Sequence, residues 1–392
     1  MPVPVVASLI LGLIVGIPYY GLPYFYDYFE QSYGWPRPAI LLGLPLGTLV
    51  TLFTGPLLLR RVAPRMGVMA GGVGCAVAIS GLGLTNGNLW VYYLLWVLYM
   101  AGWSFAGPMA HQVLLPRLLE RNRAAGLAIA FFGVSLFGAL SVALVARPLT
   151  HAVGFAYALV GMGALLLLVG PLAWLGYPEL PPAQQMATAK HSRAGVLRNR
   201  TFWLLTVGSS SAAAGIAGIA QHFKLILRER GYTDQARLDE VFGFSVMLML
   251  AASASGRFLF AWGADRFPKR HVITAAFLFM LGAMPLLATL HAGRLPYLFA
   301  ILFGLGMSSD SLLVTLLAAE NFGAVGMAGV MGILVPINTI SQTWFPYVVS
   351  LLWQATGSYT VPLAVIFALI LSGRVLLALV PEKRQLSYEE SF

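Results

Sequence analysis

One arginine lies deep within an apolar run. In the stretch SASGRFLFAWGADRFPKR, residues 253–270, Arg257 precedes Asp265 by eight positions, which places it about 12 Å inside the polar boundary at 1.5 Å per helical residue. An arginine at that depth of a bilayer costs roughly 2.5–3.5 kcal/mol on insertion scales, so its presence argues for a task inside the protein. Its planar fork of N–H donors fits a carboxylate through two parallel hydrogen bonds. The competing reading is structural, with the guanidinium tying helices together through backbone carbonyls. Ser253, one turn earlier on the same face, adds a hydroxyl that can orient the same anion.

A second ionisable group stands at similar depth. Asp310, in GMSSDSLLVTL, precedes Glu320 by ten positions, or about 15 Å of helix. Acids inside membranes pair with bases and mark proton relays. Two readings of Asp310 follow, a proton carrier and a passive salt-bridge partner that neutralises Arg257. Softer candidates are Tyr20 and Tyr24 in the first apolar run, Tyr99 and Trp103 in the fourth, and Asn338 in the eleventh. Their hydroxyl, indole and amide groups can orient a small anion, although such aromatic stripes also serve ordinary packing. His222 and Lys224, with Arg228 and Arg230 just beyond, read as a solvated cluster at the outer end of the seventh run, or as an anion-attracting mouth.

These residues need helices in a bilayer to hold them. The chain has 392 residues, of which 59% are hydrophobic and 10% charged, far from the roughly 25% charge of soluble domains. Runs long enough to span fall at 5–29, 37–59, 66–85, 89–116, 124–148, 153–177, 200–227, 239–264, 272–291, 294–319, 325–353 and 358–380. The expectation is an all-α integral membrane protein with twelve transmembrane helices in two six-helix halves. The first run, which no cleavage site precedes, is read as a retained helix. The net charge of +10 comes from short basic clusters between runs, which set membrane orientation and imply no nucleic-acid partner.

Fifteen Lys and Arg residues fall in the loops after even-numbered runs and in the C-terminal tail, against six on the other side. The asymmetry places both termini in the cytoplasm, with the plasma (inner) membrane as the expected location. The single cysteine, Cys75, lies in an apolar run and is read as a core residue, without disulfide or thiolate metal site. No metal-ligand cluster, activated nucleophile or phosphate loop appears, so neither enzyme chemistry nor a cofactor is expected.

The chain repeats itself at a spacing near two hundred residues. LERNRAAGLAI at 119–129 matches AENFGAVGMAG at 319–329, and Pro178-Glu179 matches Pro381-Glu382. Parallel repeats of this kind mark transporters that bind substrate at midplane between two halves. The expected division is a first bundle at 1–178, a linker at 179–199, a second bundle at 200–381 and a tail at 382–392.

On these residues the chain resembles the major facilitator superfamily over its whole length. ADRFPKR at 264–270 is similar to the superfamily's loop signature, with Asp265, Arg266, Lys269 and Arg270 as its acid and basic cluster and Pro268 where glycine is usual. The first-half copy, LLLRRVAPR, has Arg60 in the place of the acid. A narrower resemblance, to monocarboxylate porters and oxalate/formate exchangers, rests on YGWPRPAI at 33–40 and on the helix-eight arginine that Arg257 matches. In that branch this arginine binds the substrate carboxylate. The chain departs from animal carriers in having Tyr24, not lysine, after Pro23, and from oxalate exchangers in having Asn338 and Gln342 but no cation in helix eleven.

One fixed cation balances one carboxylate, whereas a dianion would leave a charge uncompensated at midplane. The reading is therefore a proton-coupled symporter of a small monocarboxylate such as lactate, pyruvate or acetate, working as a monomer by alternating access. The other transporter reading is carboxylate exchange without protons. A membrane receptor or a carrier of uncharged solutes leaves Arg257 unexplained.

Overall fold

A backbone in lipid must satisfy every N–H and C=O within its own segment, and a chain this apolar does so with helices. The computed structural model describes residues 2–58, 62–119, 123–179, 196–288, 294–308 and 310–381. Among them regular structure is helical throughout. Nine of the described helices are long and apolar enough to cross a membrane, and Arg37–Thr51 and Leu295–Met307 are shorter apolar ones.

The first half comprises α1 (Val3–Tyr33), α2 (Arg37–Leu41 continued by Gly43–Leu58), α3 (Pro64–Leu82), α4 (Leu89–Ala106), α5 (Arg123–Leu140 continued to Val153) and α6 (Phe155–Gly176). The second comprises α7 (Arg200–Glu229), α8 (Gln235–Arg266), α9 (Lys269–Ala288), α10 (Leu295–Met307), α11 (Asp310–Thr356) and α12 (Thr360–Ala378). Both termini of the bundle lie at one end, called proximal below. The opposite end is distal.

The expected runs at 294–319 and 325–353 fold differently from the reading of the sequence. α10 stops at Met307, and α11 is one helical run of 47 residues. A straight helix of that length would reach about 70 Å, more than twice the thickness of the hydrocarbon core. Its contacts exclude a straight course. Ser308 lies against Gly256 in α8, and Glu320 pairs with Lys269 at the proximal start of α9. Farther on, Asn338 binds Ser210, and the Pro346 carbonyl binds His222 near the distal end of α7. The chain thus descends to about Glu320 and climbs again, so α10 and α11 together make two passes and the total is twelve.

Local chemistry sets the ends. Asn88, Asn199 and Asp234 accept hydrogen bonds from the first free N–H groups of α4, α7 and α8. Gly34 closes α1 in the left-handed region, with φ of 65°, and Pro36 and Pro38 start the next helix, which is the structural content of YGWPRPAI. α1 itself changes winding twice, through a π-helical stretch at Gly12–Gly16 and a 3-10 stretch at Leu22–Phe25. Such interruptions rotate the following side chains.

Small residues bring the helices into backbone contact. A Cβ on Gly71 of α3 would stand 2.6 Å from the Gly102 carbonyl of α4, and one on Gly102 would stand 2.6 Å from the Gly71 carbonyl. Cys75, in the same contact, is buried and directs its thiol at the Tyr99 carbonyl, as a core residue does.

Candidate functional site

Arg257 lies on the face of α8 that turns toward the first half. Leu250 and Ser253, seven and four residues earlier, share that face. A Cβ on Gly138 of α5 would meet Tyr20 of α1 at 2.6 Å and Leu250 at 2.9 Å, so three helices converge there. Arg257 is half-buried, within electrostatic reach of Tyr20, and among the described residues it makes no hydrogen bond or ion pair. The Ser253 hydroxyl, 1% exposed, has no partner. The next two residues, Phe258 and Leu259, are 73% and 48% exposed and turn toward lipid. A half-buried cation and a buried hydroxyl thus stand without partners among the described residues where α8 meets the first half.

The other expected contacts divide. Trp103 is half-buried and packs against the core. Asn338 is committed within the second half, its Oδ1 accepting from Ser209 at 3.2 Å and Ser210 at 2.5 Å. Tyr99 is buried and donates to the Ile14 carbonyl at 2.8 Å, in the π-helical stretch of α1. Tyr24 departs furthest from the expectation, because its hydroxyl donates to Asp239 at 2.6 Å and is not free for a substrate. The side chains of Asp265 and Asp310 lie outside the described residues. Of the rest of the loop signature, Lys269 pairs with Glu320. Arg266 stacks on Trp262 at 4.4 Å, and Arg270 also has a partner.

A second constellation, at the distal end, lies some 27 Å from Arg257 along α8, taken as 18 residues of helix. Lys224 of α7 is no part of a solvated cluster, which corrects the sequence reading. It is 1% exposed, with Nζ 2.8 Å from Asp27 of α1 and 2.7 Å from Asp239 of α8. Nζ also donates to the Tyr24 carbonyl at 2.6 Å. Tyr24 and Tyr28 of α1 donate in turn to Asp239 Oδ2, and Gln235 donates to both acids, at 2.9 and 3.0 Å. The exchange is reciprocal, since a lysine of the second half serves an acid of the first and tyrosines of the first serve an acid of the second.

His222 is likewise buried, not solvated. Its Nε2 donates to the Pro346 carbonyl at 2.8 Å, and its Nδ1 lies 2.7 Å from the Tyr359 hydroxyl. Beside it Arg37 of α2 lies 3.7 Å above the Trp353 ring of α11 and binds Glu30, which also meets Arg228 at 3.6 Å. Among the described residues, every side-chain hydrogen bond and ion pair joining the halves lies between Tyr19–Gln221 and the distal surface. Described pairs at the proximal end, Arg65–Glu179 and Lys269–Glu320, stay within one half. The structure is closed distally.

Asp27, Lys224 and Asp239 make the buried cluster that was least apparent in the sequence. The signal was nevertheless there. Two acids and one base stand within a few residues of the distal ends of three apolar runs, and opposite charges at equal depth in lipid find each other.

Two six-helix halves that meet at one end, with a half-buried cation where α8 meets the first half, define a secondary transporter. The chain belongs to the major facilitator superfamily, whose family model matches residues 5–346. No curated protein matches it in sequence. Solved structures share the fold at low identity. A bacterial homolog of the human lysosomal transporter Spinster, inward-facing and unoccupied, is 15% identical with a TM-score of 0.69, over 96% of this chain and 94% of that one. A point variant of the nucleoside transporter NupG is 10% identical with a TM-score of 0.77, over 95% and 98%. The protein is a multi-pass membrane transporter of a small solute and not an enzyme.

Proposed function

We propose that the solute is a small monocarboxylate, carried together with a proton by alternating exposure of the cleft. The observation that carries this reading is the guanidinium of Arg257, half-buried where α8 meets the first half and without a hydrogen-bond partner among the described residues. A carboxylate supplies both its counter-charge and its two acceptor atoms, and in a poorly solvated cleft such a pair is stronger than at a surface. The unpartnered Ser253 hydroxyl supports a further contact. An uncharged solute, such as the nucleoside that the name of NupG implies for that carrier, would leave the cation unanswered.

Asp310 is proposed as the proton carrier on the strength of its depth in the sequence. Uptake of radiolabelled lactate, pyruvate and acetate into proteoliposomes, with and without an inward proton gradient, tests the reading. Accumulation of one of them that depends on the gradient is expected. Exchange that ignores the gradient would favour carboxylate antiport, and failure of all three would remove the monocarboxylate.

A further inference from the structure

The distal cluster carries an unbalanced charge. Asp27 and Asp239 are both 0% exposed and share one ammonium, so two negative charges and one positive leave a net charge of −1. Each of the four carboxylate oxygens already accepts. Asp27 Oδ1 faces Lys224 and Oδ2 faces Gln235, while Asp239 Oδ1 faces Lys224 and Gln235 and Oδ2 faces Tyr24 and Tyr28. At Asp27 and at Asp239 Oδ1 the neighbours, Lys224 and the Gln235 amide nitrogen, can only donate, whereas the two hydroxyls at Asp239 Oδ2 can also accept.

Another base is within reach. His151, near the distal end of α5, has Nε2 4.0 Å from Asp239 Oδ2 and a side chain 49% exposed. We propose that the distal lock is a proton-binding site, in which His151 takes a proton from the distal medium and its imidazolium supplies the second cation that Asp27 and Asp239 require.

His151 belongs to the first half and Asp239 to the second, so the attraction exists only while the halves meet. Proton binding and distal closure are therefore linked, each favouring the other. The charged and titratable groups on the elements around His151 are Tyr24, Asp27 and Tyr28 on α1, Lys224 on α7, and Asp239 with its exposed neighbour Glu240 on α8. Arg147, one turn earlier on α5, opposes an imidazolium but travels with it. Its effect is the same in both states and leaves the sign unchanged. This site needs no substrate and does not depend on Asp310.

The sign follows directly. Closure adds a carboxylate partner to the imidazolium, so the closed fraction rises as pH falls and is lost as pH rises. Leu84 and Leu298, exposed near the distal ends of the two halves, accept spin labels through Leu84→Cys and Leu298→Cys, while the native Cys75 is buried. Inter-label distances in nanodiscs give the closed-to-open ratio. Between pH 8 and pH 5 it should rise by about threefold to fivefold, the size of a half-exposed ion pair. His151→Gln should hold the ratio at its high-pH value, and His151→Lys, a permanent cation, at its low-pH value. A wild-type ratio that does not move with pH, or a Gln variant that still responds, overturns the proposal.

Discussion

Lys224 Nζ lies 2.8 Å from Asp27 Oδ1, and the two residues come from opposite halves of the chain. An ion pair buried this completely contributes little net stability against an apolar pair, yet removing one partner costs about 3–5 kcal/mol, because the other charge is left without compensation. Since the halves separate distally when the cleft opens to that side, the cost falls on one conformation only. The pair is therefore expected to favour closure of the distal end.

Lys224→Met retains the length of the side chain and removes its charge, leaving two acids facing each other. The closed state should weaken by a factor of at least a hundred, from the lower end of that cost. Val246, 3% exposed on the α8 face beneath the lock, reports on opening through Val246→Cys. A membrane-impermeant thiol reagent added from the distal side should modify this cysteine at least ten times faster in the Lys224→Met background. Equal rates would show that the lock does not hold the gate.

Arg257→Lys tests the carboxylate fork. The charge remains but the bidentate geometry does not, and charged hydrogen bonds contribute about 1.5–3 kcal/mol, so affinity should fall at least tenfold. Binding of the transported monocarboxylate, followed by calorimetry on the purified protein, measures this. If Arg257→Ala binds as the wild type does, the substrate sits elsewhere.

The fold was legible because lipid simplifies the code. Apolar run length gives the passes, and an internal repeat gives the two halves. α10 is shorter than its apolar run, ending at Met307, while the reversal near Glu320 falls close to the break between the runs at 294–319 and 325–353. The depth of Arg257 was legible in its apolar run, whereas the side of α8 on which it lies is given only by the contact of Leu250 with α5. Tyr24 and Lys224 were misread because a side chain near a membrane boundary can either reach water or turn inward. Only the tertiary pairing with Asp27 and Asp239 shows which occurred. The winding changes of α1 fall at Gly12–Gly16 and at Leu22–Phe25, which holds Pro23, but which side Tyr24, Asp27 and Tyr28 face afterwards is fixed only by the tertiary contacts.

Orientation in the membrane is the next prediction, and its motive is the basic asymmetry of fifteen residues against six. A reporter fused after Phe392, or inserted beside Lys190, should lie in the cytoplasm, as judged by paired enzyme reporters active on opposite sides. The distal lock would then face outward and sense external pH. Finding either fusion outside would invert the assignment of the ends.

Coupling through Asp310 is the most exposed prediction. When the cleft is empty, Arg257 can serve as counter-charge to Asp310. An arriving carboxylate competes for that guanidinium and leaves Asp310 beside a second negative charge in a poorly solvated place, which a proton relieves. Substrate and proton then bind together, and the loaded cleft carries the same net charge as the empty one, which suits rearrangement through a medium of low dielectric. Asp310→Asn imitates the protonated acid permanently, so it should exchange substrate at close to the wild-type rate and lose accumulation driven by a pH gradient. Counterflow and gradient-driven uptake, measured side by side in liposomes, separate the two activities. If the Asn variant still concentrates substrate when protons alone drive it, Asp310 does not carry the proton and acts only as a salt-bridge partner. If counterflow fails as well, the acid is needed for binding itself, and coupling must be sought at another group.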